Sequence, residues 1–170
     1  MKTSHAWLTL PGLLLALAAA GCGPGNKEVS ERDQKQAAQL ASEAEFAATL
    51  REWPRAEKLF AEAARIDPDA AYLMGLGSVR VRQGNRSGAK EAYEAALRAS
   101  ERESARQPGD ADRWIRRAYL LALLGRQADG RAVLQEAAER LPQDRRLRAF
   151  LADKEFDALV SAPAFRQISL

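Results

Sequence analysis

The chain has 170 residues, enough for one domain and hardly for two, and its 26 Lys+Arg against 23 Asp+Glu leave a surplus too small to mark nucleic acid or an anionic membrane surface as the main partner. Its single histidine, His5, and its single cysteine, Cys22, both lie in the first 22 residues. If that segment is processed, the body keeps no imidazole and no thiol, which removes the commonest general base, the commonest zinc ligands and the best nucleophile, and no disulfide can form within one chain.

Residues 1–21 read as a signal peptide: Lys2 gives a positive start, and "LTLPGLLLALAAA" gives an apolar core that ends in small residues. The uninterrupted apolar stretch after Pro11–Gly12 runs for about ten residues, where a membrane-spanning helix needs roughly 20, so a cleaved secretion signal fits better than a transmembrane anchor. The four residues "AAGC", Ala19 to Cys22, resemble the lipobox of bacterial lipoproteins, with Ala19 standing where that family favours leucine. The resemblance implies that the Cys22 thiol accepts a diacylglyceryl group, that the chain is cut before Cys22, and that the new amine is acylated. Several acyl chains, such as palmitate, anchor a protein stably where one does not. Cleavage after Ala20 by the ordinary signal peptidase is the competing reading, since "AAA" also satisfies its small-residue rule. Residues 22–30, "CGPGNKEVS", have almost nothing to bury and read as the lipidated cysteine and a flexible tether. Gly23 follows the cysteine where lipoproteins kept at the inner membrane often carry Asp, so the resemblance implies an outer-membrane anchor facing the periplasm, the inner membrane being the less favoured site.

The composition of the whole chain is that of helices: alanine, leucine, glutamate and arginine dominate, and aromatics reach 6%. Three segments share a frame. Ala56, Phe60, Ala63 and Pro68 follow a predicted helix with Leu40, Ala44 and Ala47; Leu73, Leu76 and Gly77 precede Ala89, Tyr93 and Ala96; Trp114, Ala118 and Leu121 precede Gly130, Leu134, Ala137 and Pro142. Gly84 and Gly125 are placed to end first helices, Pro54 to begin a second one, and Asp69 and Asp110 to cap the start of repeats. Ala56 and Ala89 are 33 residues apart, and Ala89 and Gly130 are 41 apart. The surplus in "ASERESARQPGD" is predicted to be about two extra helical turns, which keep the same face inward.

These positions resemble the tetratricopeptide repeat, a pair of antiparallel helices in which small residues mark close crossings and large ones fill the space toward the next pair. The resemblance covers roughly residues 35–142. It implies an all-α solenoid of about three helical hairpins over residues 31–142, a plain helical bundle being the alternative. Residues 143–170 are predicted to cap the array's exposed apolar end, with one helix carrying Leu147, Phe150, Leu151, Phe156 and Leu159, a turn near Ser161–Pro163, and a short piece with Phe165 and Ile168. "FDALVSAPAF" resembles the ending of many bacterial arrays of this family, which implies a final Pro-x-Phe tucked onto the last helix.

No catalytic motif stands out. "GNRSGAK" breaks the phosphate-loop spacing and follows no strand, and the G-x-S-x-G elbow is missing. Glu57, Glu62, Glu91 and Glu94 alternate with Lys and Arg on solvated faces, and Asp153, Glu155 and Asp157 lack the glycine and final glutamate of a calcium loop. No metal, cofactor or enzymatic activity is therefore expected. The arginines of "RWIRR" (Arg113–Arg117) and "RRLR" (Arg145–Arg148) are scattered by helical spacing and read as solvated, so no nucleic-acid partner is expected.

A binding surface remains. The resemblance implies an inner groove lined by first helices, with Glu45 and Thr49 from the first hairpin, Met74, Ser78, Val81 and Arg82 from the second, and Ile115, Arg116, Tyr119 and Leu123 from the third. An apolar floor with arginines at its edge suits a helix or an extended peptide. The Lys and Asn set with which some relatives clamp a terminal carboxylate is not reproduced. The expected function is that of a membrane-anchored scaffold or assembly factor that binds another envelope protein, with self-association compatible with so short an array. The alternatives are a non-anchored periplasmic adaptor and a regulatory subunit of an envelope enzyme.

Overall fold

The computed structural model describes residues 29–170; residues 1–28, on which the expected signal peptide, the expected lipidation of Cys22 and most of the expected tether fall, lie outside the described residues. Among the described residues the fold is all helical. Three helical hairpins stack side by side: α1 (Glu31–Thr49) on α2 (Trp53–Ile66), α3 (Ala70–Arg82) on α4 (Arg86–Arg106), and α5 (Ala111–Leu123) on α6 (Gln127–Arg140), with α2 against α3 and α4 against α5. Short helices α7 (Arg145–Ala152), α8 (Glu155–Ser161) and α9 (Pro163–Arg166) close the far end, α7 lying on α5 and α6. No helix among the described residues is long and apolar enough to cross a membrane.

The three hairpins turn in the same way. Each first helix ends on a left-handed residue, Arg51 (φ 60°), Gly84 (φ 80°) or Gly125 (φ 76°). The N–H of that residue donates to the carbonyl three residues back, and the next N–H donates to the carbonyl five residues back: Glu52 to Ala47, Asn85 to Arg80 and Arg126 to Leu121, at 2.8–2.9 Å. This is the Schellman closure, which satisfies carbonyls the helix end leaves free. Glycine takes the left-handed conformation at no steric cost; Arg51 holds it with a side chain. The turns stand 33 and 41 residues apart. Helix α4 has 21 residues where α2 and α6 have 14, so the extra length is the two added turns expected from the sequence. Ala99, Ser100 and Ser104 on the extension are buried, so its inner face is maintained. Asp69, Asp110 and Asp144 accept from Ala71, Asp112 and Leu147 N–H groups and cap α3, α5 and α7.

Packing depends on rings lying where a Cβ is missing. A Cβ added at Gly75 would come within 2.5 Å of the Phe60 ring, and one at Gly77 within 2.4 Å of the Tyr93 ring. At Gly130 it would meet both the Ala118 carbonyl and the Phe156 ring at 2.8 Å. The core toward the N-terminus is built largely from Ala37, Ala41, Ala44, Ala47, Ala56 and Ala63 around Phe60. The core toward the C-terminus is bulkier, with Tyr93, Trp114, Leu120, Leu121, Leu123, Leu134, Phe150 and Phe156 among its members.

Two sequence expectations are corrected. The single capping helix is broken at Asp153–Lys154, where Lys154 takes φ 53°. The break redirects Phe156 onto Gly130, and Leu151 is left exposed. The arginines of "RWIRR" do not radiate into solvent, because the lengthened α4 supplies partners. Arg113 pairs with Asp110 at 2.9 Å and with Glu103 at 3.5 Å, Arg116 with Glu103 at 3.2 Å, and Arg117 with Glu101 at 3.4 Å. The piece with Phe165 packs against α8 and shares its apolar cluster with Phe156 and Val160, and the Phe165 ring also meets Tyr119 of α5 edge-on, with centroids 5.6 Å apart.

Because Tyr93 is fully buried beneath Gly77, its ring has no room to yield to an added side chain. Gly77→Val is expected to destabilise the fold by about 2–3 kcal/mol, seen as a lowered thermal midpoint by circular dichroism. Gly109→Ala, where an added Cβ meets nothing within 4 Å, is the matched control and should shift stability by less than about 0.5 kcal/mol. Equal melting of the two variants would refute the close-packing account.

Candidate interaction groove

Helices α1, α3 and α5 contribute side chains to one concave face. Its open part is a groove of about 520 Å³ lined by Glu45 and Thr49 of α1, Arg51 and Trp53 at the first turn, Met74, Gly75, Ser78 and Arg82 of α3, and Tyr119 of α5. Gly75 does two things here: it lets Phe60 of α2 press up beneath α3, and it exposes that ring to the groove floor. The lining is mostly apolar with charged groups at the rim, the composition expected of a peptide or small-molecule cleft. Arg82 lies over the Trp53 ring at 5.2 Å from its centroid, a cation–π contact that holds the guanidinium at the edge of the groove.

The other part of the concave face is occupied by the chain itself. From the end of α9, residues 165–170 form a further turn, with the Ile168 and Ser169 N–H groups donating to the Phe165 carbonyl, and lie against the inner surface. The Tyr93 hydroxyl donates to the Ile168 carbonyl at 2.7 Å, the Leu170 N–H donates to the Leu123 carbonyl at 2.8 Å, and Arg82 reaches the Gln167 side-chain oxygen at 3.4 Å. Phe165 is buried, whereas Ile168 and Leu170 are only half-buried. Beyond this segment a second, smaller apolar hollow of about 230 Å³ lies between Ile115, Tyr119, Phe150, Phe156 and Leu159.

The sequence-predicted residues therefore separate. Met74, Ser78, Arg82 and Tyr119 converge on the open groove, together with Glu45 and Thr49. Val81 does not line it; it is half-buried against the C-terminal core. Ile115 belongs to the smaller hollow. Arg116 borders the same smaller hollow and extends to Glu103 of the lengthened α4, where it also lines a polar cleft with Arg102, Arg106 and Asp67. Leu123 offers no side chain to a partner because it is fully buried; only its carbonyl faces the returning segment. Arg51, Trp53, Gln167 and Ile168 were not anticipated. Trp53 immediately before Pro54 was a visible signal, since an aromatic at a hairpin turn with no partner in its own helix faces a neighbour or a groove. Glu155 and Asp157, weighed as calcium ligands, pair instead with Arg146 and Arg131.

Tyr93 joins the helical core to the returning segment. Burial pushes its phenol up to about 12 from the ordinary value of 10.0, against the smaller opposing effects of the Ser78 hydrogen bond and the Arg82 charge. The proton that donates to Ile168 is thus retained well into the alkaline range. Since the folded value is above the unfolded one, the stability linked to this group is complete below pH 10 and is lost as pH rises toward 12. Tyr93→Phe is expected to lower stability by about 1 kcal/mol at neutral pH through loss of the hydrogen bond. It should also flatten the alkaline decline, which amounts to no more than about 3 kcal/mol at ~1.4 kcal/mol per pH unit. Denaturant titrations from pH 7 to pH 11.5 measure both; parallel pH profiles would contradict the assignment.

No protein-family model matches the chain, and no curated protein matches it.

Proposed function

We propose that this protein is a lipid-anchored, periplasm-facing repeat protein of the tetratricopeptide type that binds a segment of another envelope protein in its inner groove and serves as a scaffold or assembly factor. The observation that carries the reading is the groove itself: Glu45, Thr49, Met74, Ser78, Arg82 and Tyr119 come from three successive first helices and meet around one open volume. The repeated Schellman turn at intervals of 33 and 41 residues, with small residues under rings at the crossings, supports the tetratricopeptide assignment. The lone cysteine after "AAG" supports anchoring at the membrane through Cys22.

A binding role also suits the chemistry available. Glu57, Glu101, Glu103, Asp112, Glu155 and Asp157 are drawn into ion pairs with arginines across helices, such as Arg80 with Glu57 at 2.8 Å. An apolar floor that accepts a side chain, with Arg82 and Arg51 at the rim for a carboxylate or carbonyl, is what an extended or helical peptide requires.

Two measurements test this. A photo-crosslinking residue placed at Thr49 in cells should yield a discrete adduct with one partner, and Met74→Glu should reduce that adduct at least tenfold, as burying an unpaired charge at an interface centre does. A folded Met74→Glu variant with an undiminished adduct would remove the groove from the proposal. Mass spectrometry of the mature N-terminus should find acylated Cys22, and Cys22→Ala should release the protein from the membrane fraction; an unmodified start at Gly21 would overturn the anchor.

A further inference from the structure

The concave face is half occupied, and its occupant has the chemistry of a peptide ligand. The segment 165–170 contributes one buried aromatic anchor, Phe165 against Tyr119. It adds a backbone carbonyl taken by the Tyr93 hydroxyl, a backbone N–H given to Leu123, and an amide oxygen reached by Arg82. These are the elements by which a groove holds a short peptide, here wound as a helical turn in which the Ile168 and Ser169 N–H groups donate to the Phe165 carbonyl: main-chain hydrogen bonds for affinity and a side-chain pocket for selection. The segment is joined to the body through an extended residue, Ala162 (φ −65°, ψ 139°), before Pro163. The apolar side chains after its anchor, Ile168 and Leu170, remain half-exposed, and the open groove begins at Arg82 and Tyr119, which both contact the segment.

We infer that the inner face docks a segment of a partner protein wound as a helical turn, carrying an aromatic residue followed three positions later by an aliphatic one, and that residues 165–170 are its intramolecular competitor. This rests on the reading of the inner face as the binding surface and adds to it both the chemistry of the ligand and a closed state. The partner's aromatic side chain replaces Phe165 on Tyr119, its carbonyl takes the Tyr93 proton in place of Ile168, and it continues past Arg82 into the open groove over Met74 and Phe60. A tethered segment acts at a millimolar-scale effective concentration. An outside ligand therefore binds with an apparent affinity reduced by the fraction of molecules in which the segment is seated.

The probe is a fluorescein-labelled peptide of residues 162–170, "APAFRQISL", titrated by anisotropy against the full chain. Phe165→Ala in the protein, which loosens the internal competitor, is expected to bind the probe at least tenfold more tightly than the unaltered chain does. Replacing the probe's phenylalanine with alanine should abolish binding, and Tyr93→Phe added to the Phe165→Ala chain should weaken it several-fold. A folded Phe165→Ala chain that binds no probe, or binds it as the unaltered chain does, overturns the inference. A concentration-dependent dimer of that variant also overturns it, because a second copy would then be the occupant. Should Phe165→Ala fail to fold, ¹⁵N-labelled unaltered chain decides. Excess unlabelled peptide must accelerate exchange of the Leu170 amide as its bond to Leu123 is released, and unchanged exchange refutes the competition. Loss of the crosslinked adduct in Met74→Glu without any peptide binding would leave the groove in place and remove this inference alone.

Discussion

The structure depends on aromatic rings pressed against helix backbone where no side chain intervenes. Phe60 reaches Gly75, Tyr93 reaches Gly77, and Phe156 reaches Gly130 together with the Ala118 carbonyl. Each contact fixes how closely two helices approach, and small residues at those points are what permit it. The hairpin spacing, and so the curvature that produces a concave face, follows from these contacts. The groove also inherits its floor from one of them, because the ring beneath Gly75 is part of the groove lining. A single packing device thus sets both the stacking of the repeats and the shape of the surface they present.

Polar interactions divide between framework and site. Glu57 and Glu101 are engaged by Arg80 and Arg117, and Glu103 by Arg113 and Arg116, between helices, while Asp110 pairs with Arg113 within the first turn of α5. Several of these side chains are half-buried, so they specify register more than they add stability, since desolvation offsets much of the attraction. At the concave face the polar groups have fewer fixed partners. Arg82 rests on Trp53 and makes one long contact to Gln167, and the Tyr93 hydroxyl is the firm link between core and returning segment.

Most of the architecture was legible because its signals are local. Gly84, Gly125, Asp69, Asp110 and Pro54 each act through the conformation of their own residue or through a bond within one turn, and each occupies the expected place. The two-turn extension of α4 could be read for the same reason: helical period and a following proline suffice. What was missed depends on partners distant in sequence. Arg116 looked like a groove residue until Glu103 was brought beside it by that same extension. Leu123 fits the groove-facing pattern by periodicity, yet α7–α9 and the segment after them cover the end of α5 and bury it. The break at Lys154 carries no glycine or proline, so tertiary packing of Phe156 rather than local propensity determines it. Phe165 reaches Tyr119 in addition to the cluster it shares with α8, because the break turns the chain toward the concave side.

The two ends of the array differ in how strongly they are held, which bears on how the groove can work. Burial of apolar surface contributes about 25 cal/mol per Å², so an alanine core such as that of α1 and α2 provides much less stabilisation per residue than the Leu, Trp and Phe core of α5 to α8. Helix α1 also leaves Phe46 and Leu50 more than half exposed. In a stacked array each hairpin is stabilised by its neighbours, and α1 and α2 have a neighbour on one side only, through α3. The first hairpin is therefore the low-stability unit, and it supplies Glu45, Thr49, Arg51 and Trp53 to the open part of the groove. The returning segment, by contrast, is fastened to the well-packed half, through Tyr93, Tyr119 and Leu123. An occupant that spans both halves ties the weak hairpin to the strong one, and by linkage stabilises it in proportion to its affinity. The internal segment stops short of the first hairpin and gives no such support, so the closed state leaves α1 and α2 poised for an outside ligand.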